Sequence, residues 1–343
     1  MAETPQLTLA LNCYKVERFV KEAVEGVFAQ TFRPLEIVIS DDHSPDGTWE
    51  KIVEAVMRLG GLAPSEEAPW QRPDFCGTTR LEPQADLTLV LNRNEKNLGL
   101  ALHQNKLFEL SSGEWIAFQA GDDVSVPHRM ADIVKTLAEN PRTRCLHSQV
   151  EIIDATGAKM EVPQKFQPHG RAKPLLPSIL GAGAVYHRDV YCKFGPLGAR
   201  ATNEDHVLPL RAGILGDIVY VERPLVRYRK HDTNDSGAFS SNKKVAALYR
   251  LRIIPTIYQE LSDIQLAEQT QMAPFAQLEK YKRLLEDKLY IQWFFGMFEL
   301  FPERRLSLVY HLLASPSRCL LFLRHALLRL QGHFTRPMRI FSG

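Results

Sequence analysis

Several features that mark common protein classes are missing from this sequence of 343 residues. Its five cysteines are scattered singly, without any CxxC pair, which argues against a zinc site and favours free thiols in a reducing cytosol. The polar segment from Met1 to Gln6 lacks a basic start followed by an apolar run, so no signal peptide is predicted. No internal repeat or low-complexity tract is apparent. These absences predict a cytoplasmic globular protein.

The charge is nearly balanced over the whole chain but is unevenly distributed along it. The formal net charge is +2 at pH 7, yet residues 301–343 hold seven arginines and one acid, Glu303, and so carry +6. The preceding residues therefore carry −4. A basic, apolar tail on a mildly acidic body favours an anionic surface as its partner. Nucleic acid is not expected as a partner, because the rest of the chain has no basic stripe or recognisable reader module.

The tail has no apolar run of about 18 residues that is free of charge, Gln or Pro, so a spanning helix is not predicted. On a helix through 318–330, Arg318, His325 and Arg329 share one face, and leucines lie roughly opposite. These are Leu320, Leu323, Leu327 and Leu330. The pattern predicts a basic amphipathic helix on an anionic membrane surface. The alternative is a helix packed on the rest of the chain or on a second copy of it.

Apolar spacing predicts that strands and helices alternate over the first 120 residues. Strands are predicted at 7–11, 35–40, 87–91 and 115–119, and helices at 16–28, 49–59 and 100–110. Residues 60–86, rich in Pro, Gly and Glu, are predicted to be an excursion loop. Because the connections are too long for hairpins, the strands should be parallel in a doubly wound sheet. Further strands are predicted near 145–153 and 217–222, and helices from 242 onward with breaks around Pro255 and Pro274.

Polar residues follow each of the four predicted parallel strands. They are Asn12 to Tyr14, Asp41-Asp42, Asn92 to Asn97 and Asp122-Asp123. Because the carboxyl ends of parallel strands meet at one edge of such a sheet, these residues should line a common ligand site. The sequence therefore predicts a nucleotide pocket at this edge.

The last of these clusters is a pair of adjacent carboxylates with no basic residue in reach. The apolar strand that begins at Trp115 ends abruptly on Asp122-Asp123. Two neighbouring carboxylates repel each other unless a cation lies between them, and their hard oxygen atoms suit Mg²⁺ or Mn²⁺. A plain turn is the alternative, because Gly-Asp and Asp-Asp are common turn dipeptides.

Over roughly residues 7–237 the chain resembles glycosyltransferase family 2. The motifs that carry the resemblance occur in the expected order: Leu7 to Tyr14, Phe28 to Phe32, Leu35 to Thr48, Asn97-Leu98-Gly99 and Gly113 to Phe118. The resemblance implies an α/β fold of the GT-A type, with a doubly wound, mostly parallel central sheet flanked by helices. It places this domain at 1–240, with a nucleotide-binding half at 1–125 and an acceptor half at 126–240. Residues 241–343 would form a helical C-terminal extension, and that extension is the part expected to contact the membrane.

The resemblance also implies a donor site. Asp42 would accept a hydrogen bond from the base, and Asn12 and Tyr14 would line the base pocket. This is chemically sensible, since a carboxylate at a strand end can accept from a base N–H and a tyrosine ring can stack on a base.

The metal motif of the family reads Asp-x-Asp-Asp, and this chain departs from it because Ala120 takes the first position. By resemblance, Asp122 and Asp123 would still hold the metal, with Asp122 also at the nucleotide. His231, in the closing motif that starts at Tyr228, would complete the metal shell or contact the diphosphate. Arg229-Lys230 in the same motif could clamp phosphate oxygens.

A second acidic pair resembles the segment of the family that supplies the catalytic base. In Asn203-Glu204-Asp205, Asp205 would deprotonate the acceptor hydroxyl and Glu204 would be its neighbour and orienting group. The alternative is a pair of acids that caps a helix running into Val207 and Leu208.

Together, these features predict an inverting glycosyltransferase that uses Mn²⁺ or Mg²⁺. The expected donor is a nucleoside-diphosphate sugar, with a UDP-sugar preferred, and the expected acceptor is a saccharide or a lipid-linked saccharide. The expected setting is bacterial surface polysaccharide or glycolipid assembly, at the inner face of the cell membrane. Ala120 leaves open a catalytically silent partner that binds sugar nucleotides or scaffolds an active transferase. A nucleotidyltransferase fits less well, because residues 7–20 offer only Lys15 and Arg18 for a triphosphate loop.

Overall fold

The computed structural model describes residues 6–33, 35–161, 179–232 and 243–313. They divide into two compact units. The first contains the described residues up to Arg200 together with Glu204–His231, and the second contains Ala201–Asn203 and the described residues from Asp232 onward. The predicted domain boundary at 240 lies outside the described residues.

The first unit is built on a mixed sheet whose described part has nine strands in the order β3-β4-β2-β1-β5-β8-β7-β9-β6. In chain order the strands are β1 (Leu7–Cys13), β2 (Leu35–Asp41), β3 (Gly77–Gln84), β4 (Leu87–Arg93), β5 (Trp115–Ala120), β6 (Val124–Ser125), β7 (Thr143–Ile153), β8 (Val185–His187) and β9 (Asp217–Arg229). The central strands β4, β2, β1 and β5 run parallel to one another, and β7 runs parallel to β9. The predicted α/β class with a mostly parallel central sheet is confirmed.

Helices cover this sheet, and others form the second unit. In the first unit they are α1 (Val20–Phe28), α2 (Thr48–Gly60), α3 (Leu100–Leu110), α4 (Arg129–Glu139), α5 (Asp189–Cys192) and α6 (Glu204–Leu215). In the second they are α7 (Lys243–Arg252), α8 (Ile254–Gln269), α9 (Phe275–Leu300) and α10 (Arg305–Leu313). The helical character predicted beyond 242 is therefore confirmed as far as Leu313.

The core of the first unit lies between the central strands and the helices that flank them. Every residue of β2 is buried, and β1 is buried except for the half-buried Asn12. Because both faces of these strands are covered, apolar residues predominate in them, and the buried Thr8 hydroxyl donates to the Glu36 carboxylate at 2.6 Å. Helix α1 turns a stripe of small apolar side chains toward the core, and α2 buries Trp49 completely.

The excursion loop predicted at 60–86 was only partly right, because its second half forms strand β3. This strand pairs antiparallel with β4 at the edge of the sheet, and its residues alternate between half-buried and exposed. Pro83 lies within it, and an edge strand tolerates proline because one row of its backbone groups needs no partner. A polar edge strand interrupted by proline has no apolar run by which the sequence could reveal it.

The two predicted breaks in the helical region are confirmed at Pro255 and Pro274. Pro255 lies in the first turn of α8, and Pro274 immediately precedes α9. A helix tolerates proline at its start because the first N–H groups have no partner within the helix. No helix within the described ranges is long and apolar enough to cross a membrane. The amphipathic helix predicted at 318–330 lies outside the described residues.

Candidate active site

The strand register brings the predicted polar clusters to one edge of the sheet. Asn12 lies beside Ser40 of β2 on one side and beside Ala120 of β5 on the other. Asp41, at the end of β2, lies beside Arg93 of β4. Backbone hydrogen bonds continue past the strand ends, from the Asp42 N–H to the Cys13 carbonyl at 2.9 Å and from the Gly121 N–H to the Asn12 carbonyl at 2.7 Å. The four polar clusters therefore border a single edge.

The Asp42 carboxylate is buried, and it organises the loop after β4. Its Oδ1 accepts from the Asn94 side chain at 2.8 Å and from the Leu98 N–H at 2.9 Å, and its Oδ2 accepts from the Gly99 N–H at 3.0 Å. Gly99 has φ of 77°, in the left-handed region that favours glycine. These contacts explain the Asn97-Leu98-Gly99 motif: its backbone N–H groups bind the Asp42 carboxylate, and its glycine adopts the positive φ. The role of Asp42 in recognising a base stays a prediction.

Asn12 and Tyr14 lie where the base pocket was predicted. Asn12 is half-buried at the end of β1, and the Tyr14 side chain is 38% exposed. The Lys15 ammonium lies 5.1 Å from the centroid of the Tyr14 ring. An exposed aromatic face beside a cation can accept a planar base with a phosphate attached to it. The two roles remain predictions.

The turn after β5 presents Asp122 together with His231. The His231 Nε2 atom lies 2.9 Å from Asp122 Oδ2, and the Asp122 side chain is 16% exposed. The His231 ring packs against Phe19, with 4.6 Å between ring centroids. A carboxylate and an imidazole so placed are suitable ligands for a divalent cation such as Mn²⁺. Ala120, at the position where the family has its first aspartate, is exposed at the end of β5.

Asp123 is turned into the protein instead. Its Oδ1 accepts from the Arg229 backbone N–H at 2.9 Å, and the residue is 1% exposed. Its buried Oδ2 has no hydrogen-bond partner among the described residues. Within the described ranges, no group of three His, Cys, Asp or Glu side chains is placed to hold a metal ion. The structure therefore pairs Asp122 with His231 but does not bring Asp123 to them as a third ligand.

The environment of Asp123 predicts a pH-dependent effect on stability. Burial, followed by repulsion from Asp122, raises the pKa of the Asp123 carboxyl well above its usual value. Such a carboxyl stabilises the fold while it is protonated, and this contribution is lost as pH rises through its folded pKa. We expect Asp123→Asn to raise the free energy of unfolding at pH 7, because the asparagine carries no charge that burial penalises. At pH of about 4 and below the gain should largely disappear.

Denaturant unfolding of both proteins at pH 7 and pH 4 measures this difference. Asp86→Asn is the matched control, because the Asp86 side chain is 54% exposed. A variant that is no more stable than the parent protein at pH 7 would contradict the expectation.

Arg229 does not have the role that the sequence suggested. Its side chain is fully buried, and its guanidinium donates to the Asp122 carbonyl at 2.9 Å and to Glu22 at 2.8 Å. The suggestion that Arg229 clamps phosphate is therefore wrong, because the group is enclosed within the protein. For Lys230, which is half-buried, the suggestion stays a prediction.

The acid pair Glu204-Asp205 lies in the first turn of α6. A Cβ atom on Gly181 would lie 3.5 Å from Glu204 Oε1 and 3.6 Å from Asp205 Cβ, so the pair packs beside this glycine. Three residues further along, the Ala184 carbonyl accepts from the Phe118 N–H of β5 at 3.1 Å. The acid pair thus flanks the segment that adjoins β5, and β5 leads to Asp122. The first-turn position suits both helix stabilisation and a catalytic role, and the roles of the two acids stay predictions.

Sequence reasoning missed a buried arginine that forms hydrogen bonds on both sides of residues 121–123, the acidic turn. Arg129, at the start of α4, is fully buried and donates to the Phe118 carbonyl and to Ser125 Oγ, both at 2.9 Å. Gln119 accepts from the same guanidinium at 3.3 Å. The sequence around Arg129, Pro-His-Arg-Met, contains no signal that this arginine is buried rather than on the surface. Only the fold shows that it fixes both ends of the turn.

Comparison with known proteins finds a family match in the part of the chain that forms this edge. The family described as Glycosyl transferase family 2 matches residues 8–61, the part from β1 to α2 that contains Asn12, Tyr14 and Asp42. This part of the chain matches glycosyltransferase family 2.

The individual proteins that the chain resembles are distant from it in sequence. An uncharacterized glycosyltransferase of Methanocaldococcus jannaschii is 23% identical over 167 residues, which are 48% of each chain. UDP-Glc:alpha-D-GlcNAc-diphosphoundecaprenol beta-1,3-glucosyltransferase of Escherichia coli is 22% identical over 162 residues, 47% of this chain and 52% of the relative. The matched part thus spans about half the length of these curated relatives.

A solved structure supports the fold over more of the chain. The mannosyltransferase of Pyrobaculum calidifontis, solved in complex with GDP-Man and Mn²⁺, matches with a TM-score of 0.50 and 17% sequence identity. The match covers 96% of this chain and 81% of the mannosyltransferase. The likeness confirms the GT-A type of fold that the sequence motifs implied.

Proposed function

We propose that this protein transfers a sugar from a nucleoside-diphosphate donor to an acceptor hydroxyl, with inversion at the anomeric carbon. We place the reaction in bacterial surface polysaccharide or glycolipid assembly. The observation that carries the proposal is the pairing of Asp122 with His231 at the sheet edge that also holds Asn12, Tyr14 and Asp42. An open α/β sheet binds nucleotides at this edge, and a partly exposed carboxylate there can hold a divalent cation that compensates the diphosphate charge of the donor.

The residues present fit a divalent cation held partly by the donor. Asp122 and His231 would hold it, and when bound it would neutralise charge on the leaving diphosphate. Among the described residues, Asp122 is the partly exposed carboxylate placed beside His231, and the diphosphate oxygens would supply further ligands. The mannosyltransferase complex with GDP-Man and Mn²⁺ supports this assignment, since it places a sugar nucleotide and a divalent cation in the same fold.

The acceptor half would supply the base. The Asp205 carboxylate takes the proton of the acceptor hydroxyl while that oxygen attacks the anomeric carbon of the donor. The bond from the anomeric carbon to the diphosphate breaks, and its electron pair leaves with the nucleoside diphosphate. Attack opposite the leaving group inverts the anomeric configuration. Glu204, the adjacent residue in the first turn of α6, is assigned to orient the acceptor.

A donor panel with Mn²⁺ tests the proposal. The full chain is incubated with UDP- and GDP-sugars and with lipid-linked or free saccharide acceptors, and released nucleoside diphosphate is measured. Proton NMR of the product gives the anomeric configuration. Turnover with inversion supports the proposal, and turnover with retention would reject the mechanism assigned to Asp205.

Ala120 favours a second candidate, a catalytically silent sugar-nucleotide-binding partner. Its exposed methyl group stands where a third carboxylate would be expected, and Asp123 is turned inward. Mn²⁺-dependent binding of UDP or GDP without turnover on the whole panel would select this candidate. Absence of both binding and turnover would reject both.

A lipid-linked acceptor would require the protein to work at a membrane surface. The named Escherichia coli relative acts on a diphosphoundecaprenol-linked sugar, which supports such an acceptor here. We assign membrane attachment to residues 301–343 because of their +6 charge and their leucines. Each arginine near an anionic surface contributes on the order of 1 kcal/mol, so binding should weaken as salt rises.

Flotation with vesicles that contain anionic lipid should therefore carry the full chain at low salt and lose it at high salt. A protein truncated after Glu299 should not float with the vesicles but should still bind the nucleotide. If the full chain does not float at low salt, or if the truncation unfolds, the segment is a packing or oligomer element instead.

A further inference from the structure

A single buried guanidinium joins the acidic turn to helix α1. Arg229 Nε donates to the Asp122 carbonyl at 2.9 Å, and Nη2 donates to Glu22 Oε2 at 2.8 Å. Nη1 faces two more carbonyls, those of Asp154 and Ala155, at 3.4 and 3.3 Å. All three nitrogens of the guanidinium therefore contact acceptors from three separate segments of the first unit.

The same residue also fixes the second acid of the turn. The Arg229 backbone N–H donates to Asp123 Oδ1 at 2.9 Å. Its side chain holds the main chain of Asp122, and its main chain holds the side chain of Asp123. The turn that presents Asp122 is thus attached to the end of β9 at two points.

Phe19, just before α1, completes the arrangement. Its ring lies 5.0 Å from the Arg229 guanidinium carbon and 4.6 Å from the His231 ring centroid. The imidazole therefore lies between Phe19 and the Asp122 carboxylate, which fixes its direction. Helix α1 and the residue that precedes it thus support both residues that we assign to the cation: Phe19 packs against His231, and Glu22 holds Arg229 against Asp122.

The burial of this ion pair is asymmetric. The Arg229 side chain is 0% exposed, whereas that of Glu22 is 48% exposed. Burying a cation costs much of its hydration, and pairs of this kind are weak evidence for stability. They are better explained where they fix one geometry among several, and here the fixed geometry is that of Asp122 and His231.

We propose that Arg229 and Glu22 are positioning residues for the donor site, holding Asp122 and His231 in the arrangement that binds the cation and diphosphate. The inference rests on the proposed function, since it assumes that this pair is the cation site.

The test is calorimetric titration of UDP and of GDP into the full chain over a series of Mn²⁺ concentrations. Glu22→Gln keeps the size of the side chain but removes its charge, and Arg229→Lys keeps the charge but removes the planar fork of donors. We expect the apparent Mn²⁺ affinity to fall about 10-fold in each variant, the usual effect of removing a group that orients a metal ligand. Nucleotide binding in the presence of a chelator should not change.

Two matched controls lie beside the tested residues. Glu25→Gln removes an acid from the same helix whose partner is the exposed Arg58. Arg227→Lys alters an arginine of the same strand that donates to the Gly157 carbonyl and pairs with Glu151. The side-chain partners of both controls lie outside the acidic turn, so both should keep the Mn²⁺ dependence of the parent protein.

The double variant measures whether the two residues act together. If they share one function, adding Glu22→Gln to Arg229→Lys should weaken Mn²⁺ affinity by less than the product of the two single effects. Thermal unfolding of every variant is measured in parallel. A merely structural pair would lower the unfolding temperature while leaving the Mn²⁺ dependence unchanged, and that result would overturn the proposal.

The controls separate failure of this inference from failure of the proposed function. If the parent protein binds neither nucleotide with Mn²⁺, the donor site itself is rejected. If the parent binds but both folded variants match it, only the positioning role is rejected. If Arg229→Lys does not fold, Glu22→Gln decides alone, because its partly exposed side chain can be changed without leaving a cavity.

Discussion

Replacing Asp205 with asparagine should reduce the turnover number on the order of 10²-fold or more, the usual effect of removing a general base. Donor binding should stay nearly unchanged, because the base acts on the acceptor in the transition state and not on the bound donor. The side chain lies in the first turn of α6, beside Gly181. Steady-state turnover and UDP titration of the same preparation measure the two effects.

Glu204→Gln is the matched control, since Glu204 is the adjacent acid of the same turn. It should lose less turnover than Asp205→Asn. If Asp205→Asn keeps near-normal turnover while Glu204→Gln loses it, the roles within the pair are reversed. If both variants are active, the acids only stabilise the start of the helix.

Removing the divalent cation should weaken nucleoside diphosphate binding by about 10²-fold, and so should Asp122→Asn. Diphosphate charge beside a carboxylate in a partly desolvated site costs several kcal/mol unless a cation compensates it. The sequence assigned this dependence to Asp122 and Asp123 together, whereas the structure favours Asp122 alone. The Asp122 carboxylate pairs with the His231 imidazole and is partly exposed. The Asp123 carboxylate is buried and accepts a hydrogen bond from the Arg229 backbone N–H. Calorimetric titration of UDP with Mn²⁺, and again with a chelator, measures the effect.

Asp123→Asn serves as the control in the same titration, and it should keep most of the Mn²⁺-dependent affinity. Equal nucleotide affinity with and without the chelator would reject the cation site. A loss as large in Asp123→Asn as in Asp122→Asn would instead restore the assignment to both acids.

Most of the fold could be predicted because burial and sequence pattern agree there. Strands β1, β2, β4 and β5 are mostly apolar because both faces are covered, and their polar ends follow from the parallel arrangement. Strand β3 could not be found in this way. It lies at an edge with half its residues exposed, so nothing constrains its sequence to be apolar.

The sequence by itself determined which chemical groups reach the ligand edge: Asn12, Tyr14, Asp42 and the acids after β5. It could not determine what each side chain faces there, since neighbouring residues in a turn can point in opposite directions. Tertiary structure alone paired Asp122 with His231, turned Asp123 inward and buried the Arg229 guanidinium. The partner residues lie far away along the chain: Arg229 is 106 positions from Asp123 and 207 from Glu22. Local pattern carries no information at such separations, because only folding brings these groups within hydrogen-bond distance.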